Sequence, residues 1–458
     1  MWTLALLIPV YCFILEEPCP VDAPCRCYGT KIDCIGKRIT VIPEFNFTPA
    51  FHRELYIDIR KNAITSLGAH ALGNIAEVHN EHLTVDLNDN KISYIDEHAF
   101  ETIGNTSVSL YLSNNNLSSL PKALMHLANL KELQLLGNTI MYLDDAIMTV
   151  IGSSLTSLWL DAGSLAIWPR SLARLTILSE LVLEHLPFTS IPATAFDGLY
   201  LIERLEIYHS NLRTIPDAIC SLDNLQILHF EHNDNVDLNS NRFTPHCSEP
   251  MKTVNGLYLS YNHLTDFYPY AVTKNGTFPG LRTLSLSNNN LYDLSDLRES
   301  TFQLYYLYLS NNRLSNIPMA VVHMPELLTL ILSGNVITEV DDTTLSGLQN
   351  LRQLTMIDVP IDNIHPHAFS TSYSLKTLHL ENTNLTSIPA AVMHLGDSFN
   401  ADFSGSPITC TCQNLAFLRE FPVADFVDNK KRFRGNCVNA DPVKSIQEFV
   451  IGMPELCG

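Results

Sequence analysis

Residues 307–318 read LYLSNNRLSNIP, and the same arrangement of leucine and asparagine recurs along most of the chain. It returns as LYLSNNNLSSLP at 110–121, LYLSYNHLTDF at 257–267, LSLSNNNLYDL at 284–294 and LHLENTNLTSIP at 378–389. The shared pattern LxxLxLxxNxLxxL marks fifteen successive turns, 23 to 29 residues apart. A repeat of this period predicts a solenoid. Its asparagine position is occupied in turn by Asn62, Asn90, Asn115, Asn138, Gly163, Leu186, Ser210, Asn233, Asn262, Asn289, Asn312, Asn335, Val359, Thr383 and Ser406.

The LxL segment explains why the repeats must stack. Its two leucines point inward and the residue between them points outward, as in a short β-strand. One unit cannot bury its apolar side alone, so neighbouring units stack into a parallel sheet with strands about 4.8 Å apart. The asparagine at the strand end is expected to satisfy backbone groups. Aromatic residues on the opposite, convex side are expected to fill the second half of the core rather than to bind a ligand: Phe100, Phe196 and Phe369.

Composition excludes several function classes. The 458 residues include 48 acidic and 28 basic side chains, a formal charge of −20 that would repel a phosphate backbone, so we expect no nucleic-acid partner. Hydrophobic residues make up 46% and charged residues 17%, which supports a large core and argues against a disordered chain.

The amino terminus has the outline of an export signal. The run MWTLALLIPVYCFIL, residues 1–15, is too short to span a bilayer and is followed by Glu16 and Glu17. We interpret residues 1–16 as a signal peptide, and a buried amino-terminal strand is the alternative. No later apolar run reaches spanning length, so we expect a secreted chain without membrane insertion, or a cell-surface protein if an anchor follows Gly458. Five glycosylation sequons are compatible with secretion: Asn46, Asn105, Asn116, Asn275 and Asn384.

The cysteines cluster at the two ends of the repeats. Without residues 1–16 ten cysteines remain, an even number. An open solenoid exposes its core at both ends, so terminal units must cap it. We therefore expect an amino-terminal cap over 17–50, repeats over 51–408 and a carboxyl-terminal cap over 409–458, with an amphipathic helix at Asn414–Phe421. Zinc binding is the alternative for either cluster, although the Cys-x-Cys spacing lacks the Cys-x2-Cys pairs of common zinc modules.

These features resemble the extracellular leucine-rich-repeat proteins with cysteine-rich flanks, such as Slit, Toll ectodomains, the Nogo receptor and lamprey variable lymphocyte receptors. The resemblance implies an α/β right-handed solenoid, or horseshoe, with a concave parallel sheet of short strands, a mostly irregular convex side and disulfide caps. It also implies ligand binding without catalysis and four cap disulfides: Cys19–Cys27, Cys25–Cys34, Cys410–Cys437 and Cys412–Cys457. The two remaining cysteines, Cys220 and Cys247, fall at similar convex positions in adjacent turns, and we predict that they pair.

The outward strand positions are the natural binding surface, because they are contiguous and are not needed for the core. The turns around Asn289, Asn312 and Asn335 present Ser287, Ser310 and Ser333, a bland polar row. The region before them combines aromatic rings with carboxylates, which predicts an anchor for a protein, most simply a basic one, or for a glycan. A merely solvated face is the alternative. The predicted binding residues are Trp159, Asp161, Glu180, Glu184, Glu206, Tyr208, His229, Glu231 and Tyr258.

Two irregular features fall in or near this region. The asparagine is missing at Gly163, Leu186 and Ser210, which either bends the sheet locally or is simply tolerated. Three histidines also occupy the same strand-end position in successive turns, namely His185, His209 and His232, and we expect their rings about 5 Å apart. Such a column can bind a metal together with Glu184 or Glu231, or respond to pH, and chance alignment is the alternative.

A basic run, KKRFR at Lys430–Arg434, is the remaining exception in an acidic chain. It is a candidate for binding a sulfated polysaccharide, and a solvated loop is the alternative.

Nothing in the sequence favours catalysis. The chain has no GxSxG, HExxH, phosphate-binding glycine loop or GxGxxG motif, and an open sheet excludes little water. We expect no enzyme activity and no cofactor. The predicted function is recognition of an extracellular ligand, as in adhesion or innate immunity, and the alternative is a matrix component or a non-catalytic subunit of a secreted complex.

Overall fold

The computed structural model describes residues 19–21, 24–45, 54–73, 75, 81–233, 245–267, 276–294, 303–440 and 444–457. The predicted signal peptide, Asn46, Asn275 and part of each predicted cap lie outside these ranges. The chain divides into two compact units, Met1–Trp159 and Leu160–Gly458. Among the described residues, no helix combines the length and apolar character needed to cross a membrane.

The first unit is built on short parallel strands. Its elements are β1 (Arg26–Tyr28), β2 (Lys31–Asp33), β3 (Glu54–Asp58), β4 (Ser66–Leu67), β5 (His82–Asp86), β6 (Tyr94–Ile95), β7 (Ser107–Tyr111), β8 (Leu130–Leu135) and α1 (Asp145–Ile151). Strand β1 pairs antiparallel with β2, and the order β2-β3-β5-β7-β8 is parallel throughout. Strands β4 and β6 form a separate parallel pair. The division between the units falls within β9 (Ser157–Asp161).

The second unit repeats this plan with more strands. They are β10 (Glu180–Glu184), β11 (Arg204–Tyr208), β12 (Ile227–Glu231), β13 (Gly256–Tyr258), β14 (Thr283–Ser285), β15 (Tyr306–Tyr308), β16 (Thr329–Ile331), β17 (Glu339–Val340), β18 (Gln353–Thr355), β19 (Asn363–Ile364), β20 (Thr377–His379), β21 (Phe399–Asp402) and β22 (Lys431–Arg434). Strands β10 to β16, followed by β18, β20, β21 and β22, form one parallel series in chain order, while β17 pairs with β19. The predicted leucine-rich-repeat solenoid is therefore confirmed.

The leucines of each repeat form the core as expected. In β11, Leu205 and Ile207 are fully buried, while Arg204 and Tyr208 point to the other face and stay half-buried. The three convex-side phenylalanines predicted as core are also buried: Phe100, Phe196 and Phe369.

The asparagine position closes each turn through its side-chain amide. The Oδ1 atom of Asn289 accepts hydrogen bonds from the N–H groups of Asn262 (3.0 Å) and Leu264 (2.9 Å). Its Nδ2 group donates to the carbonyls of Leu259 (2.9 Å) and Leu286 (3.0 Å). Because an amide carries both acceptor and donor, one side chain satisfies the buried backbone groups of two turns.

Hydroxyl groups substitute for the amide in some turns without asparagine. The hydroxyl of Ser406 accepts from the N–H of Thr383 at 3.0 Å and donates to the carbonyl of Leu380 at 3.0 Å. The hydroxyl of Ser210 donates to Asn233 Oδ1 at 2.6 Å. Val359 and Leu186 are simply buried among apolar residues.

The side opposite the strands is mostly irregular, with short 3-10 helices. Most of these begin immediately after a proline whose carbonyl accepts the first hydrogen bond of the turn, as Pro121 does from the N–H of Leu124 at 3.1 Å. Their bounds are Glu101–Ile103, Lys122–His126, Arg170–Arg174, Asp217–Ser221, Met319–His323, Ala390–His394 and Ala416–Glu420.

Disulfides lie at both ends of the repeats and once between turns. The pairs are Cys19–Cys27, Cys25–Cys34, Cys220–Cys247, Cys410–Cys437 and Cys412–Cys457. They are the same pairs that the resemblance and the repeat positions led us to expect. With the sulfurs joined in this way, none of these thiolates remains to bind zinc.

The carboxyl-terminal cap differs from the sequence prediction in its helices. The amphipathic helix expected at Asn414–Phe421 is only a 3-10 helix, Ala416–Glu420, because Pro422 stops the run. The helices of this cap are α2 (Val423–Val427) and α3 (Ile446–Leu456). A capping box starts α3, in which Ser445 accepts from the N–H of Glu448 and the Glu448 carboxylate accepts from the N–H of Ser445.

Candidate functional site

The strand register of the second unit aligns outward side chains in rows. One such row, which we call the central row, consists of Val182, Glu206, His229, Tyr258, Ser285, Tyr308, Ile331, Thr355, His379 and Asp402. Its first half is flanked by further charged and aromatic residues. We define the acidic aromatic face as Glu180, Glu184, Arg204, Glu206, Tyr208, His229, Glu231, Tyr258 and Tyr308.

Arg204 organises the carboxylates of this face. Its Nε atom lies 3.6 Å from Glu180 Oε1 and also bonds Glu206. The hydroxyl of Tyr208 donates to the second oxygen of Glu206 at 2.8 Å. Burial, followed by this hydrogen bond to Glu206, raises the pKa of Tyr208, so its phenol stays neutral. The 8% exposed Glu206 is thus held between a cation and a phenol.

His229 lies at the centre of the next contacts. Its ring stacks on Tyr258, with the centroids 4.1 Å apart and the planes 3° apart. Nδ1 of His229 lies 3.4 Å from Glu231 Oε2, and Nε2 lies 3.4 Å from the guanidinium of Arg204. The ring is therefore fixed from its flat face and from both nitrogens.

The pKa values of two carboxyl groups of the face, Glu184 and Glu231, are shifted in opposite directions. Burial raises the pKa of Glu184, and the nearby Asp161 carboxylate adds to the effect, while His185 and His209 oppose it. Burial also acts to raise the pKa of Glu231, but the hydrogen bond and charge of His229 and the hydrogen bonds of Ser260 outweigh it, so this pKa is lowered.

The remaining predicted residues take separate positions. Asp161 is 9% exposed and serves the local turn, accepting from the N–H of Gly163 at 2.9 Å and lying 3.0 Å from Nδ1 of His185. Trp159 is half-buried and belongs to the first unit, and its role in binding stays a prediction.

The structure also places residues on this face that the sequence prediction missed. Strand β15, which ends two residues before Ser310, carries Tyr306, 38% exposed, and the half-buried Tyr308. The expectation of a bland polar row was therefore wrong, because it considered only a residue that follows the strand. Arg204 was missed too, although it stands in register with Glu180, 24 residues earlier.

Comparison with known proteins agrees with this architecture. The family described as leucine rich repeat matches residues 83–140, 176–234 and 302–357. The chain contains leucine-rich repeats between disulfide-bonded ends. Five disulfides support an extracellular location, because such bonds persist in oxidising compartments.

Curated relatives match part of this leucine-rich-repeat protein. Tsukushi of Rattus norvegicus is 27% identical over 235 residues, which cover 50% of this chain and 65% of that protein. Podocan of Mus musculus is 34% identical over 143 residues, which cover 30% of this chain and 22% of that protein. The chain thus spans less than two thirds of the length of either relative.

Solved structures share the fold at low identity. Toll in its complex with Spatzle, from Drosophila, aligns with a TM-score of 0.60 at 18% identity over 84% of this chain and 57% of that chain. The mouse RP105/MD-1 complex aligns with a TM-score of 0.55 at 18% identity over 86% of this chain and 78% of that chain. Both are structures of complexes, of Toll with Spatzle and of RP105 with MD-1.

The histidine column of this leucine-rich-repeat protein is present in the structure. Ring centroids lie 5.6 Å apart between His185 and His209 and 4.7 Å apart between His209 and His232, and Tyr261 continues the stack 4.1 Å beyond. All three histidines have positive φ, a conformation that the same position of other turns reaches mostly with asparagine, aspartate or glycine, and also with Lys61 and Tyr261. His185 contacts Asp161 rather than Glu184 or Glu231. Metal binding or pH sensing by this column stays a prediction.

The basic run at Lys430–Arg434 is a strand rather than a loop. Lys431 is 6% exposed, and its ammonium group bonds Asp425 Oδ2 and the carbonyl of Asp397, each at 3.0 Å. The exposed cations are Lys430, Arg432 and Arg434, of which Lys430 and Arg434 face carboxylates at 3.8 Å. Polysaccharide binding by this run stays a prediction.

Three of the five predicted glycosylation sites lie in the described ranges. The asparagines at 105, 116 and 384 are exposed. Their modification stays a prediction, as does that of Asn46 and Asn275.

Proposed function

We propose that this leucine-rich-repeat protein binds a basic extracellular protein through the acidic aromatic face. The observation that carries the proposal is the stacked and doubly hydrogen-bonded ring of His229 on Tyr258. A surface whose aromatic side chains are already fixed loses little conformational entropy on binding, and aromatic anchors dominate the energetics of protein interfaces.

Charge selects the kind of partner. The face carries the carboxylates of Glu180, Glu184, Glu206 and Glu231 against the single cation Arg204, and the whole chain has a formal charge of −20. Complementary potentials accelerate association and disfavour acidic partners. A partner with lysine or arginine around an apolar centre therefore fits this face better than a sulfated glycan or nucleic acid does.

The structural neighbours support a protein partner in general terms. The Toll structure is a complex with Spatzle, and the RP105 structure is a complex with MD-1. Their identities to this chain are 18%, so neither partner is carried over.

The test compares a double variant with a matched control. Purified extracellular proteins spanning acidic to basic isoelectric points are screened by surface plasmon resonance against the wild type, Tyr208→Ala/Tyr258→Ala, and Thr283→Ala/Thr329→Ala. The two threonines are half-buried and outward on the same sheet but outside the face.

We expect basic partners whose affinity falls as salt rises from about 0.05 to 0.3 M. The tyrosine variant should lose at least about 2 kcal/mol of binding free energy, the size typical of interface anchors, while the threonine variant binds as the wild type does. Partners that bind all three proteins equally would refute the role of this face and favour a matrix or subunit role through another surface.

A further inference from the structure

Three potential metal ligands converge beyond the acidic aromatic face. His379 and Asp402 are register partners in the central row, and Glu381 follows two residues after His379 on the same side. One ligand atom from each residue lies within 4.8 Å of the others. Nδ1 of His379 is 2.8 Å from Glu381 Oε1. The exposed fraction of the side chain is 24% for His379, 18% for Glu381 and 9% for Asp402, so the group is largely shielded from water.

Glu381 is incompletely satisfied by the protein itself. Its Oε2 atom is buried, and within the described part of the chain no hydrogen-bond donor reaches it. A buried carboxylate oxygen without a partner loses the favourable interactions that it would make with water. A cation bound by this carboxylate would supply the missing interaction.

We propose that His379, Glu381 and Asp402 form a zinc site. An imidazole nitrogen combined with two carboxylate oxygens suits Zn²⁺, whereas Ca²⁺ and Mg²⁺ prefer oxygen ligands alone. Zinc is usually four-coordinate, so three protein ligands leave one position for water or for a group from a bound partner. Ligand distances of about 2.0–2.2 Å require the three side chains to draw together slightly around the ion.

The chain contains an internal comparison for this site. His229 and Glu231 repeat the His-x-Glu arrangement of His379 and Glu381 on β12, with Nδ1 to carboxylate contact at 3.4 Å. There the register partner of the histidine is Tyr258 rather than an aspartate. The third ligand is thus missing, and the pair at β12 should not hold zinc.

Arg434 is the competing cation at the proposed site. Its NH1 group lies 3.8 Å from Asp402 Oδ2, and its side chain is 47% exposed. A guanidinium this exposed can turn toward solvent when an ion binds. Asp402 Oδ1 remains anchored by the N–H (3.0 Å) and hydroxyl (2.6 Å) of Ser404.

The experiment is a zinc titration of tag-free, chelator-treated protein by calorimetry against a competing chelator, with Co²⁺ absorption as an independent reading of the ligand geometry. Variants are Glu381→Gln, Asp402→Asn and the matched control Glu231→Gln. Glutamine at 381 can still accept from His379, and asparagine at 402 can still accept from Ser404, so both variants should fold.

We expect one zinc site in the wild type that weakens at least about tenfold in Glu381→Gln and Asp402→Asn and stays unchanged in Glu231→Gln. Zinc should also raise the midpoint of thermal unfolding in the wild type and in Glu231→Gln, but not in Glu381→Gln. Absence of stoichiometric zinc uptake, or equal affinity in Glu381→Gln and the wild type, would overturn the site. If Asp402→Asn does not fold, Glu381→Gln alone decides.

Discussion

The imidazole of His229 lies flat on the phenol ring of Tyr258, with 4.1 Å between the centroids and 3° between the planes. This stack fixes which way the two ring nitrogens point. Nδ1 then meets the carboxylate of Glu231, and Nε2 meets the guanidinium of Arg204. The stack of His229 on Tyr258 thereby positions the contact that lowers the pKa of the Glu231 carboxyl.

The first prediction concerns Glu231. Its pKa is lowered in the folded protein because the contacts from His229 and Ser260 outweigh the effect of burial. A carboxyl with a lowered folded pKa stabilises the fold above its unfolded pKa, here the ordinary value of 4.5, and this contribution is lost as pH falls through the lowered value. Glu231→Gln should therefore reduce the free energy of unfolding by about 2 kcal/mol near neutral pH and by much less in acid.

Urea unfolding of the wild type and Glu231→Gln across this pH range measures the effect. Thr329→Ala, half-buried and outward on β16, serves as a control for surface substitution. A loss of stability in Glu231→Gln that is the same at every pH would contradict the assignment.

The second prediction has the opposite sign and concerns Glu184. Burial, reinforced by Asp161, raises its pKa, so folding favours the protonated carboxyl. Above the ordinary value of 4.5 the unfolded state ionises more readily, and stability falls as pH rises through the raised pKa. Glu184→Gln should stabilise the protein at neutral pH and have little effect below pH 4.5, with a gain of at most about 1 kcal/mol because the group is partly solvated.

Differential scanning calorimetry of Glu184→Gln at neutral and acidic pH checks this sign. A lower unfolding midpoint at neutral pH would mean that Glu184 makes a favourable ionic contact, and the proposed effect of burial would be wrong.

Much of the fold could be predicted from the sequence because the decisive interactions are local. Alternation within LxL determines which side of a strand is buried, and the asparagine that closes each turn lies three residues after the second leucine. Those signals repeat, so each turn supports the assignment of the next. The division of the chain into two compact units at Trp159 could not be predicted, because no local motif in the sequence marks it.

The surface was harder to predict because it depends on register between turns. Arg204 meets Glu180, and His379 meets Asp402, across 24 and 23 residues respectively. The repeat positions do contain this information, but it appears only when all outward positions are aligned. Helix α3 does not depend on register. Its capping-box signal at Ser445 and Glu448 is present in the sequence but was not used.

The third prediction tests the amide that closes the turns. Asn289 is 6% exposed and bonds backbone groups of two turns through both of its amide atoms. Asn289→Ala leaves those N–H and carbonyl groups buried without partners, which should lower the free energy of unfolding by about 3 kcal/mol. The change is read from the urea midpoint, followed by intrinsic fluorescence.

An exposed asparagine in the same unit provides the control. Asn316 bonds only the hydroxyl of the adjacent Ser315, at 3.3 Å, so Asn316→Ala should change stability by less than about 0.5 kcal/mol. Similar losses for both substitutions would show that the asparagine contributes through helix or turn propensity rather than through its buried hydrogen bonds.

The fourth prediction separates two adjacent lysines of the carboxyl-terminal cap. Lys431 is buried and bonds Asp425 and the carbonyl of Asp397, and its ammonium group lies 5.0 Å from the ring centroid of Phe421. Lys430 is 59% exposed and lies 3.8 Å from the same carboxylate. Lys431→Met leaves a shielded carboxylate without its main cation and should lower the free energy of unfolding by about 3 kcal/mol.

Lys430→Met is the control and should lower the free energy of unfolding by less than about 0.5 kcal/mol, because an exposed ion pair contributes little. Thermal and urea unfolding of the two variants distinguish these outcomes, and equal stability of Lys431→Met and Lys430→Met would show that the buried ion pair does not hold the last strand in place.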